Sequence, residues 1–163
     1  MNPDEPKTGT PPSKEKVPNP GFYIGLITAA ALIAYFLIMR ALGLAHHVNL
    51  RLFNYVIIIA GITWSIKKHV NLEGRHYDYL ATLGNGCLTA ITAVIFFGAF
   101  LFIWLSFDTT LLLALRENTF FGEYLTPLTA ATVAAGEDGA FGMIMAYVIM
   151  FYINNKQMQT TKE

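Results

Sequence analysis

Tyr79-Leu-Ala-Thr-Leu-Gly-Asn-Gly-Cys-Leu-Thr-Ala-Ile-Thr-Ala-Val-Ile-Phe-Phe-Gly-Ala-Phe-Leu-Phe-Ile-Trp-Leu-Ser-Phe107 runs for 29 residues without a charge. About 20 apolar residues suffice to cross the hydrocarbon core of a bilayer as a helix. The run is therefore read as a membrane span, long enough to tilt or to extend beyond the core. The whole chain agrees: of its 163 residues 54% are hydrophobic and only 13% charged, about half the charge of an ordinary soluble domain.

Outward from this segment, apolar runs at about residues 21–42, 50–66 and 134–153 give three more spans, so the expected fold class is an all-α membrane protein with four transmembrane helices. The first span is interrupted only by Arg40 near its end. The second is short, and Arg51 at its start must reach back to the interface. The first 20 residues hold six of the seven prolines and no aromatic. They lack the apolar area that folding needs, and a disordered tail is expected. They also place the first apolar run too far in for an ordinary signal peptide, so that run is read as a retained span. Residues 157–163 form a second tail.

Lys and Arg set the expected direction. With the N-terminus inside, Lys7, Lys14, Lys16, Lys67, Lys68, Arg75, Lys156 and Lys162 are cytoplasmic, and only Arg40, Arg51 and Arg116 lie outside. The excess of cations favours cytoplasmic N- and C-termini and an even number of spans. Trp64, Trp104, Tyr23, Tyr79 and Tyr152 fall near span ends, where interfacial aromatics are enriched.

The segment from Asp108 to Gly136 is the ambiguous one. Asp108-Thr109-Thr110 reads as a helix N-cap ahead of Leu111-Leu112-Leu113-Ala114-Leu115, a helix too short to span and expected to lie in the outer interface. Gly122 marks a turn, and Thr126-Pro127 a helix start with proline at its first position. The last helix either runs unbroken to Ile153 or breaks at Gly136. In the second case Glu137 and Asp138 cap the final span, where carboxylates favour the helix dipole. Counting back from Asn154 along an upright helix puts Glu137 about 5 Å below the outer boundary.

Small or polar residues recur at helical spacing in every span: Gly21, Gly25, Ala29; Asn54, Ile58, Gly61, Ser65; Ala81, Gly84, Asn85, Thr92, Ala99; and Ala135, Gly139, Gly142, Ala146. In lipid such stripes let helix backbones approach. In a continuous last helix Asp138 lies at the edge of its stripe, and Glu137 is turned about 100° away. Asp138 is then the candidate for a contact inside the bundle, with Arg116 or Asn85 as partner, and Glu137 for a contact with another protein. Gly139 and Gly142 complete this set of functional or packing-critical candidates.

The usual catalytic signatures are missing: there is no nucleophile elbow, HExxH, phosphate loop or dinucleotide fingerprint. Gly84-Asn85-Gly86 is too short for a phosphate cradle. Cys87, the single cysteine, is neither half of an internal disulfide nor part of a cysteine metal site. His46-His47 and His69/His76 fall in loops on opposite sides, so they cannot share one metal ion. Net charge is zero, which gives no case for nucleic-acid binding. No catalytic, metal or cofactor residue is assigned, and the chain is read as a non-enzyme.

The order of segments carries a resemblance. Gly21-x-x-x-Gly25 opens the first span and Arg51-Leu52-Phe53-Asn54-Tyr55 the second. A basic loop leads into Tyr79-Leu80-Ala81-Thr82 and Gly86, and an acidic-glycine patch with Phe141-Gly142 lies in the last. From Gly21 to Lys156 the chain resembles a family of small, four-span bacterial inner-membrane proteins of unknown function. The resemblance implies a bacterial plasma membrane and four helices, and no reaction. The expected function is an accessory or scaffolding component with the lipid bilayer and a membrane-protein partner or a second copy as its contacts. The alternative is a small oligomeric transporter or channel with Asp138 and Glu137 as a proton or cation site.

Overall fold

A computed structural model describes residues 20–43, 52–73, 78–117 and 122–160. Residues 1–19 of the expected disordered tail, and Arg51, His46, His47, Arg75 and His76, lie outside the described residues, while Pro20, the last residue of that expected tail, is helical and begins the first helix. The described residues are all helical apart from turns: α1 (Pro20–Ala41), α2 (Leu52–Glu73), α3 (Tyr79–Phe107), α4 (Thr109–Glu117), a 3-10 turn (Gly122–Tyr124) and α5 (Pro127–Thr160). Among the described residues three helices are long and apolar enough to cross a membrane: Pro20–Ala41, Tyr79–Phe107 and Pro127–Lys156. The second expected span, α2, is 22 residues long but falls short in apolarity. It continues past Ile66 through Lys67 and Lys68 to Glu73, where a loop was expected. Polar residues beyond an apolar run sustain a helix as long as they are solvated, so the end of the apolar pattern is not the end of the helix.

Local chemistry explains the ends. Gly43 has φ +69°, the left-handed conformation that closes a helix and suits glycine. Its N–H donates to the Arg40 carbonyl at 3.1 Å. Asp78 starts α3 by accepting from the Leu80 N–H at 3.0 Å. Thr126 and Thr129 cap α5 reciprocally: the Thr126 N–H donates to Thr129 Oγ1 at 2.7 Å and the Thr129 N–H to Thr126 Oγ1 at 3.2 Å, with Pro127 at the first helical position. From there α5 is unbroken for 34 residues, which removes the alternative of a break at Gly136.

Helix directions follow from the contacts. α1 and α3 are parallel. Gly21 meets Asn85 at one end, Phe36 packs edge-on against Phe100 at 5.8 Å further along, and Arg40 meets Asp108 at the other end. α2 runs antiparallel to both, with Phe53 beside Tyr35 and Ser65 beside Asn85. α5 is antiparallel to α3 along a ladder of small residues. A Cβ on Gly98 would lie 3.1 Å from that of Ala135, one on Gly142 2.8 Å from that of Ala90, and one on Gly86 3.3 Å from that of Ala146. The core where these helices meet is Leu32, Ile58, Ile62, Ile66, Val70, Ala90, Phe97, Ala146 and Met150. The outer surface is apolar as well: Ile38, Val56, Ile95, Ile144 and Phe151 are all more than half exposed. An outer shell of this kind suits a lipid solvent rather than water.

The stripe expected on α3 is only partly the buried one. Asn85 and Thr92 are buried, but Ala81, Gly84 and Ala99 are exposed. α3 touches α1, α2 and α5 at once, so it buries a broad arc through Thr82, Asn85, Gly86, Thr89, Ala90, Ala93 and Phe97 instead of one line of small residues.

Asp108 makes the corner between α3 and α4. One carboxylate oxygen accepts from the Leu111 N–H at 3.1 Å, as the N-cap reading expected. The other is 2.7 Å from Arg40 Nη2 and 3.0 Å from Arg40 Nε. The Leu111 backbone N–H, with Arg40 beside it, holds the Asp108 carboxyl below the ordinary aspartate range. A depressed folded pKa gives stability that is present above the unfolded value and lost as pH falls through the folded one. Asp108→Ala should cost about 1–2 kcal/mol at neutral pH, chiefly through the cap because the ion pair is partly exposed. In detergent thermal melts the gap between the two proteins should shrink below about pH 4; a gap of constant size would contradict this assignment.

Candidate functional site

Glu137 and Asp138 lie on the eleventh and twelfth residues of α5, well inside the helix. They are not its caps, so the reading in which they merely cap a helix does not hold. Asp138 is 1% exposed and Glu137 is exposed, the split that a 100° turn per residue produces. Next to the pair, a Cβ on Gly139 would lie 3.6 Å from Val94 Cγ1. Val94 stands near the middle of α3, about 20 Å along the axis from Phe107. The carboxylates are thus level with the middle of α3. This level is relative to α3; the depth of about 5 Å below the outer boundary expected for an upright helix is counted from the end of the apolar run at Asn154, and the continuation of α5 to Thr160 leaves that count unchanged.

Glu137 is joined to α2. The Tyr55 phenol donates to Glu137 Oε1 at 2.5 Å, and the Tyr55 ring lies against Phe141 one turn further along α5, with centroids 4.3 Å apart. Neither proposed partner of Asp138 reaches it. Arg116 Nε donates to the Leu125 carbonyl at 2.8 Å, clamping the turn after α4. Gly122 lies so close to the Arg116 carbonyl that a side chain there would collide with it. Asn85 belongs to a different cluster. Gly139 and Gly142 are buried and bring α5 onto α3.

The Asn85 cluster is a polar junction of three helices. Asn85 Oδ1 accepts from the Gly21 N–H at 2.8 Å, so a side chain of α3 caps the start of α1. Its Nδ2 donates to Ser65 Oγ at 2.8 Å. Thr89 Oγ1 lies 2.7 Å from Ser65 Oγ, 2.9 Å from the Asn85 carbonyl and 3.2 Å from the Gly21 carbonyl. Ser65 and Thr89 are fully buried and Asn85 is 6% exposed. Thr82, also buried, returns its hydroxyl to the Asp78 carbonyl at 2.8 Å. Buried polar groups in a bundle with an apolar exterior need such partners.

The sequence pointed to Asn85 and Ser65 through their stripes, and to Asp138 and Glu137 through their charge. It did not point to Thr89 as a third member, to Tyr55 as the donor on Glu137, or to Arg40 with Asp108 as an ion pair. Asp108 carried a local signal as a cap. The others join residues 24–82 apart in sequence, and no local pattern carries such a pairing.

Among the described residues no three His, Cys, Asp or Glu side chains are grouped to hold a metal ion. Fold and site define a class: an all-α protein with three membrane-length helices, a polar junction at one end and a carboxylate pair at mid-height. Comparison with known protein families, curated proteins and solved structures gives no match.

Proposed function

We propose that the chain is a four-span protein of a bacterial inner membrane, with both termini cytoplasmic, acting as a non-enzymatic accessory or scaffolding component. α2 as the fourth span is supported by direction. α1 and α3 are parallel and of membrane length, so the chain has to return between them. α2 lies antiparallel beside both, from Phe53 at the level of Tyr35 to Ser65 at the level of Gly21. α4, with Leu111 and Leu112 buried, is the outer interfacial helix of this reading.

The observation that carries the accessory role is Glu137: an exposed carboxylate level with the middle of α3, beside a buried one. A charge at that height among lipid tails is costly and is kept where it has a task. Here the task is contact with a second membrane protein, and Tyr55 fixes the rotamer that presents the carboxylate. Purification in mild detergent should recover one defined membrane-protein partner, and Glu137→Gln should reduce its recovery several-fold. Recovery of the protein alone, or a yield of partner that Glu137→Gln leaves unchanged, refutes the proposal.

Burial of Asp138 favours a second reading, a small oligomeric transporter or channel with Asp138 as its proton or cation site. Proteoliposomes separate the two. A proton or cation flux that Asp138→Asn abolishes supports the second reading, and no flux of small ions removes it.

A further inference from the structure

We infer that α2 is a conditional span, one that crosses the membrane only because Asn85 of α3 holds it there. This rests on the four-span reading. The apolar part of α2, Leu52 to Ile66, is about 22 Å long against a hydrocarbon core of about 30 Å, and it contains Asn54, Tyr55 and Ser65. α2 lacks the apolarity of the three membrane-length helices. During synthesis α2 emerges before α3, so Ser65 then lacks the partners it has in the finished bundle.

Those partners are both on α3. Ser65, fully buried, accepts from Asn85 Nδ2 and lies 2.7 Å from Thr89 Oγ1. The same amide caps α1 through the Gly21 N–H. One side chain therefore fixes the inner end of α2 against the inner end of α1, and just beyond it the exposed Lys67 and Lys68 stay with the inner headgroups. Elsewhere α2 is held by packing: one turn before Ser65, Gly61 lies so close to Thr28 that any Cβ placed there would collide with the Thr28 side chain, and at the opposite end the Phe53 ring lies 6.0 Å from that of Tyr35. The polar lock stands at the inner end, where Ser65 is level with Gly21 at the start of α1.

The test uses the full chain in a Cys87→Ala background, with a thiol introduced by Glu73→Cys at the end of α2 or by Glu123→Cys in the outer turn. Intact spheroplasts are treated with a membrane-impermeant maleimide. The four-span reading requires labelling at position 123 and protection at 73. Labelling at 73 in this background overturns the four-span reading and the inference with it. Given protection, Asn85→Leu should raise labelling at 73 by about tenfold, the effect expected from two lost intramembrane hydrogen bonds. Adding Ala60→Leu and Lys67→Leu, both on exposed positions of α2, should restore protection by making α2 apolar enough to cross alone. Unchanged labelling with Asn85→Leu overturns the inference and leaves four spans standing. Raised labelling that the added leucines do not reverse overturns it too, since it marks general unfolding.

Discussion

Gly25→Leu should abolish the folded bundle. A Cβ at this position would lie 2.7 Å from Thr92 Cβ and 2.9 Å from the carbonyl oxygen of Thr89. The carbonyl belongs to the α3 backbone and cannot rotate away, so α1 must move outward along its length. That movement separates Gly21 from Asn85 at one end and Arg40 from Asp108 at the other. Overpacking a tight site costs about 1–3 kcal/mol where side chains yield, and here a backbone must yield, so about 3 kcal/mol or more is expected. Gly84→Ala and Gly136→Ala are the matched controls, since nothing lies within 4 Å of a Cβ at either position. Each should be neutral or stabilise by about 0.5–1 kcal/mol through helix propensity. Size-exclusion profiles and detergent melts read all three, and a monodisperse Gly25→Leu protein with an unchanged melt would disprove the α1–α3 packing.

The second large effect separates two adjacent residues. Asp138→Lys places a cation where the side chain is 1% exposed, at the level of Val94. An uncompensated buried charge costs about 3–5 kcal/mol, enough to prevent a bundle of ordinary stability from accumulating. Glu137→Lys, one residue earlier, exchanges one charge for another on the exposed face and leaves the buried packing untouched. That protein should fold, with loss of the Tyr55 hydrogen bond costing about 1 kcal/mol. Under the proposed function it should also lose its partner. Comparable folded yields for the two variants would show that the pair is not divided between inside and outside.

This division was legible in the sequence, because it follows from helical geometry once α5 is continuous. The limits of α3 were legible too, from 29 uncharged residues between Asp78 and Asp108, and so was the start of α5 at Thr126-Pro127. Register was not. A sequence shows which residues share a face, but not which face meets which helix. Ala81, Gly84 and Ala99 looked equivalent to Asn85 and Thr92 until three neighbours fixed the orientation of α3. The continuation of α2 to Glu73 was missed for a related reason: apolarity marks what lipid or core covers, and a helix extends beyond its cover. The level of the carboxylates along α3 was not legible either, because it depends on which residue of α3 faces Gly139.

The parallel pairing of α1 with α3 has a consequence for how the length of this chain can vary. Gly21 meets a residue 64 positions later at one end, and Arg40 one 68 positions later at the other. The two helices keep step over nearly all of α1. One residue inserted between Gly21 and Arg40 would turn everything after it by about 100°, and the cap and the ion pair could no longer form together. The same insertion between Gly43 and Leu52 would leave both helices in step. Sequences that share this architecture should therefore differ in length between the helices and keep an unchanged count of residues within α1.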